Sequence, residues 1–210
     1  MMKSLTSLSL AALVGLTAAA ASATDFDILK APNSAASTAT YTSDAALESI
    51  SGTSTTINGT ISTDLKDPSK TSGSFSIPVT TLVSGVAMRD EHMAGENWLN
   101  AAKFPNITFT IKSLALKSDN KVLTNGSSVQ GDATGEFTLH GVTKTITIPV
   151  RASYRELPAG QVYGLDGNLL RIESSFSIKL SDYGIVVPDM LTAKVANELT
   201  LTVKATAKQK

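Results

Sequence analysis

The sequence predicts an all-β protein, a closed antiparallel β-barrel of about eight strands with a short helical segment near residues 81–102. Three observations carry this. Apolar and polar residues alternate in short runs, as in strands with one wet face. Gly, Asn, Asp and Pro separate those runs. The chain is poor in charge and rich in Ser, Thr and Val, with no long helical period.

In chain order, the first 23 residues read as a cleaved secretory leader. Lys3 gives a positive start, Leu8 to Ala21 is apolar or small, and Ala21-Ser22-Ala23 is a small-x-small cleavage site. Residues 24–210 then form one domain, expected in a bacterial periplasm. Ser37 to Thr42 and Thr55 to Ser62 are weak strands whose main apolar members are Tyr41, Ile57 and Ile61. Phe75, Ile77 and Val79 share one face of the next run, and Ile107, Phe109 and Ile111 share a face of another.

Between those two strands the segment Thr81 to Leu99 carries the helical expectation. One or two turns are expected within Asp90 to Ala102, from the spacing of Met93, Asn97, Trp98 and Ala101. Phe137–Leu139 and Ile146–Ile148–Val150 flank His140-Gly141 and read as a hairpin, with His140 in a structural turn role. Ile172, Phe176, Ile178 and Leu180 line the following strand, and Leu199, Leu201 and Val203 the last. The tail from Lys204 is expected to fray. Turns are expected at Asp67-Pro68, Asn125-Gly126, Pro158-Ala159-Gly160 and Asp166-Gly167.

Composition excludes several functions. The chain has no cysteine, so disulfides and thiolate chemistry are ruled out. Basic and acidic residues number eighteen each; the leader takes Lys3 and no acid, so the mature chain carries −1 and has no footprint for nucleic acid. Two His in separate segments, without HxH or HExxH spacing, do not supply a metal site. There is no G-x-S-x-G elbow and no Gly-rich phosphate loop. No cofactor and no catalytic residue is assigned.

One cluster remains: Arg89, His92, Met93, Trp98 and Phe104, holding the only Trp of the chain. As a structural unit it is a cap, with Trp98 and Phe104 plugging one barrel end. As a site it is the mouth of a cavity, where a few polar groups meet an apolar interior. Parity adds a wall of Phe109, Phe137, Phe176 and Ile178, with Ile107, Leu139, Ile146, Ile148 and Tyr183 as further wall candidates. Such a wall suits a hydrocarbon chain rather than a sugar or phosphate ester.

Three segments resemble the YceI-like domain family. Arg89-Asp90-Glu91-His92-Met93, followed by Trp98-Leu99-Asn100 and Lys103-Phe104-Pro105-Asn106-Ile107-Thr108-Phe109, is similar to its R-D-x-H-L…[FY]-P-x-[IA]-x-F core. Gly135-Glu136-Phe137-Thr138-Leu139-His140-Gly141-Val142-Thr143-Lys144 resembles its G-x-L-T-L-x-G-V-T-[KR] segment, and Ser181-Asp182-Tyr183-Gly184-Ile185 its D-[FY]-G-[IL] turn. The first hairpin departs from the family pattern, since Ser34 to Ser43 offers only Tyr41 as an aromatic. The resemblance implies an extended, lipocalin-like antiparallel barrel that binds a polyisoprenoid, an isoprenoid quinone or another long-chain lipid.

The expected function is thus a periplasmic carrier of one long-chain amphiphile. A membrane protein is the expected donor or acceptor, and the carrier is a monomer or homodimer. A packed structural or partner-binding barrel ranks second, and a lipid-modifying enzyme using His92 with Glu91 or Asp90 third.

Overall fold

A computed structural model describes residues 23–30, 37–162 and 165–210. Apart from Ala23, the expected leader lies outside the described residues, as does Ser34. The strands are β1 (Thr24–Ile28), β2 (Thr38–Asp44), β3 (Ser49–Ser54), β4 (Asn58–Asp64), β5 (Asp67–Pro78), β6 (Asn106–Leu116), β7 (Ser128–Leu139), β8 (Val142–Val162), β9 (Leu165–Lys179) and β10 (Glu198–Gln209). The single α-helix among the described residues, α1, is Ala87–Ala94.

Eight strands close the barrel in the order β1-β4-β5-β6-β7-β8-β9-β10, and β10 returns to β1. All pairings between these strands are antiparallel. Closure gives each of these strands a partner on both sides over part of its length. β10 changes partner along its length. Leu199 to Lys204 pair with β2, which carries β3 beyond it, whereas Ala207 to Gln209 pair with β1. The β2–β3 hairpin therefore replaces β1 at one end of the barrel, and a bridge from Thr53 to Val83 ties it to the segment before α1.

This arrangement explains the strands that alternation did not reveal. In β3 the inward residues are Ile50, Gly52 and Ser54, so only one is apolar. Gly52 lies opposite Tyr41, and a Cβ there would come within 2.7 Å of the Tyr41 Cζ and hydroxyl, so the glycine makes room for the ring. Ser54 Oγ is buried but hydrogen-bonded to Thr81 Oγ1 at 2.7 Å and accepts from Thr56 N. β1 likewise escapes alternation, having only Phe26 and Ile28 to mark it.

The C-terminal tail does not fray. Ala205 and Ala207 are buried inside the barrel, and β10 pairs with β9 up to Lys208. Three expected turns fall inside strands. Asp67-Pro68 opens β5, and the reversal is at Leu65-Lys66, where Lys66 N donates to Asp64 Oδ1 at 2.9 Å. Proline is tolerated there because it stands at the start of a strand. Pro158 to Gly160 and Asp166-Gly167 lie within β8 and β9, whose pairing continues through a register shift to Val162 and Leu165. Gly167 keeps a positive φ of 77° within its strand.

His140-Gly141 forms the expected two-residue hairpin turn. Both residues have positive φ, 50° and 75°, and Leu139 pairs with Val142 across the turn. That is the geometry whose twist matches the flanking strands. His140 Nδ1 lies 3.1 Å from the Tyr183 carbonyl and its ring meets the Phe104 edge at 5.0 Å, so its role here is structural.

The interior divides into two packed clusters. One holds Phe26, Ile28, Ile57, Ile61, Leu123, Val129, Tyr154, Leu170, Ala205 and Ala207. Leu123 comes from the β6–β7 loop and donates its N–H to the Leu65 carbonyl, which closes that end. The other holds Phe137, Leu139, Ile178, Leu180, Tyr183 and Ile185, near α1.

Candidate ligand-binding site

The site begins with the connection from β5 to β6. α1 is an eight-residue helix with no buried residue and no side-chain N-cap. A helix this short does not hold itself together. Side chains secure it instead. Asp90 Oδ1 accepts from Ser84 N at 2.8 Å and from Ser84 Oγ at 2.5 Å. Arg89 Nε donates to Ser84 Oγ at 2.9 Å, and its Nη1 reaches Glu48 Oε1 at 3.1 Å, tying α1 to the β2–β3 loop.

The helix ends at Gly95, earlier than the expected span of Asp90 to Ala102. The chain then folds back: Trp98 N and Asn100 N both donate to the Gly95 carbonyl, and Leu99 N donates to the Met93 carbonyl. Asn100 takes a positive φ of 47°. The spacing of Met93, Asn97, Trp98 and Ala101 reflects this compact turn rather than a continued helix.

Met88 and His92, and likewise Arg89 and Met93, stand four residues apart, so all four belong to one side of α1. They border a cavity of about 430 Å³. Its walls include Ile107 of β6, Phe137 and Leu139 of β7, Phe176 and Ile178 of β9, and Leu199, Leu201 and Val203 of β10. Trp98 and Leu99 close over it, and Ala39, Tyr41 and Ile50 of the β2–β3 hairpin supply the side that the first-hairpin sequence left open. Polar lining is confined to Thr40, Tyr41, Ser43, Arg89 and His92.

Electrostatics at the mouth follow from this packing. Burial pushes the Tyr41 phenol above its ordinary value, and the Asp90 carboxylate adds to this against an opposing effect of Arg89. Tyr41 therefore stays protonated and offers an O–H. The two Ser84 hydrogen bonds hold the Asp90 carboxyl below its usual range, with Arg89 contributing less. Asp90 is thus the charged anchor of the helix.

Of the residues singled out from sequence, Arg89, His92, Met93, Trp98, Ile107, Phe137, Leu139, Phe176 and Ile178 come together around the cavity. Phe104, Phe109, Ile146, Ile148 and Tyr183 do not line it. Phe104 packs on His140 outside the chamber. The Phe109 ring lies over Gly135, whose added Cβ would sit 2.7 Å from its Cζ. Tyr183 stands edge-on to Phe137 at 5.5 Å, behind the wall. Ile146 packs against the α1-end cluster and Ile148 is buried below, beside the Ala133 strand position. Parity put Phe109, Ile146 and Ile148 on the inward face but did not give their depth, and Phe104 and Tyr183 stand outside the strands, where parity does not apply. Tyr41, Leu201 and Val203 lacked only a known partner strand.

Most exposed large apolar side chains gather at the same end. Met88 of α1 and Leu47, Val83, Val86, Val186 and Met190 of the connecting segments lie around the mouth, whereas Val122 of the β6–β7 loop is exposed at the other end. Leu47 N donates to the Ala193 carbonyl, joining two of these loops.

The fold and cavity define a lipocalin-like antiparallel barrel with an apolar chamber opening beneath a short helix. The chain belongs to the YceI-like domain family, whose model matches residues 30–207. It is 31% identical over 154 residues to Protein YceI of Salmonella arizonae, covering 73% of this chain and 72% of that protein. BcnA of Burkholderia cenocepacia shares the fold with a TM-score of 0.67 at 20% identity, over 84% of this chain and 99% of that one. A polyisoprenoid binding domain from Saccharophagus degradans, implicated in plant cell wall breakdown, is similar at a TM-score of 0.64 and 13% identity, over 88% and 98% of the two chains.

Proposed function

We propose that this protein is a periplasmic carrier, exported by a cleaved leader, that shields the apolar chain of an isoprenoid-type lipid from water. The observation that carries the reading is the chamber itself: about 430 Å³ with aliphatic and aromatic walls, and polar groups only where β2 and α1 meet it. At about 0.8 kcal/mol per buried CH₂, ten shielded carbons contribute about 8 kcal/mol, within the range of the association cost they must offset. Tyr41, Arg89 and His92, polar members of the lining, are the groups that would hydrogen-bond a polar head group. The polyisoprenoid-binding relative and the family membership support the ligand class. The role is binding, and no chemical step is assigned to His92.

Trp98 is the only Trp and lines the chamber, so its emission reports occupancy directly. Titrating detergent-free protein with farnesol is expected to change Trp98 emission saturably at one equivalent. No change in emission, and no bound prenol by native mass spectrometry, would overturn the reading. Turnover of the prenol that disappears in His92→Ala would instead establish an enzyme.

A further inference from the structure

We propose that the barrel measures its ligand: the chamber accepts an apolar chain of about three or four isoprene units and gives no further binding to a longer one. This rests on the lipid-binding reading and adds a length limit to it.

The limit comes from where the cavity stops. Along β10 the inward residues Leu199, Leu201 and Val203 line the chamber. The next two, Ala205 and Ala207, are 1% and 0% exposed and belong to the packed cluster beyond. Their small size does not open a passage, because β1 crosses there. Ile28 pairs with Ala207, and Phe26 sits fully buried with its ring edge-on to Tyr154 at 6.4 Å. Ile77 and Val203 touch both the chamber and that cluster, so with Ala39 they form the floor. The far end is closed again by Leu123.

Two independent measures give the capacity. From Leu199 to Val203 is four strand steps, about 14 Å at about 3.4 Å per residue. An apolar cavity of about 150 Å³ accepts the six carbons of benzene. On that scale the 430 Å³ here takes on the order of 15–20 carbons. A longer chain must leave its excess at the mouth, where it is not removed from water and contributes no further hydrophobic stabilisation.

The test is a Trp98 emission series on detergent-free protein with geraniol, farnesol, geranylgeraniol and solanesol, which share one head group and differ in length. The Kd is expected to fall by at least about tenfold per isoprene unit from geraniol to farnesol, and by less than about threefold from geranylgeraniol to solanesol. A Kd that keeps falling steeply to solanesol would overturn the length limit while leaving the carrier reading intact. Silence toward every prenol would overturn both.

Discussion

Phe137 joins the wall of the chamber to the core, and Phe137→Ala tests that double role. Its ring is 5% exposed and stands edge-on between Phe176, at 6.0 Å between centroids, and Tyr183, at 5.5 Å. Truncating a packed Phe costs about 3–5 kcal/mol. Because one side of this ring faces the cavity rather than packed atoms, the loss belongs at the lower end, about 3 kcal/mol. Roughly 1–3 kcal/mol of that is the two edge-to-face contacts, at about 0.5–1.5 each. Urea unfolding followed by far-UV circular dichroism measures the loss. A double-mutant cycle with Phe176→Ala isolates one ring pair, with an expected coupling of about 0.5–1.5 kcal/mol. A loss under about 1 kcal/mol, or zero coupling, would refute the packing described for this wall.

Gly141→Ala places a Cβ at φ 75°, into the Phe104 ring. The expected cost is at least about 1–2 kcal/mol from the backbone alone, read as a lowered urea midpoint. Glu48→Gln breaks the Arg89 pair, whose side chains are 30% and 41% exposed, so stability is expected to fall by less than about 1 kcal/mol. Asp90→Ala is expected to destabilise in a pH-dependent way. The Asp90 carboxyl is held below its unfolded value of about 3.9, so its contribution is full above that pH and is lost as pH falls through the folded value. The gap between wild type and variant should therefore be widest near neutrality and close in acid. A gap of constant size from neutral to acid pH would count against the charged anchor.

The barrel was legible wherever inward positions carry large apolar side chains, as in β6, β7 and β9. It was illegible where the interior is narrow. β3 turns Gly52 and Ser54 inward, and the end of β10 turns Ala205 and Ala207 inward, because Tyr41 and β1 already occupy that space. Alternation registers hydrophobicity, whereas the space at these positions demands small side chains. The turn at Asp67-Pro68 misled for a related reason: turn residues also suit the first positions of a strand just after a tight reversal. For the candidate site, Arg89, His92, Met93 and Trp98 were singled out because they are chemically unusual in this chain, and all four line the cavity. Tyr41 was not assigned to it, because β2 joins the wall only through its pairing with β10, far away in sequence.

That long-range pairing also explains why the chamber lies at one end. β10 has one set of inward residues but two successive partners. Where it pairs with β1, Phe26 and Ile28 fill the interior against Tyr154 and Leu170. Where it pairs with β2, the facing residues are Ala39, Tyr41 and Ser43, of which only Tyr41 is large, and its ring lies across Gly52 toward the mouth. The change of partner between Lys204 and Ala207 thus converts a filled barrel into a hollow one within a few residues. Packed core and open cavity are consequently separated along the axis. The β1 half supplies a packed core that needs no ligand, and the β2 half keeps an apolar space whose walls are held in place by that core and by the Arg89–Glu48 and Asp90–Ser84 ties.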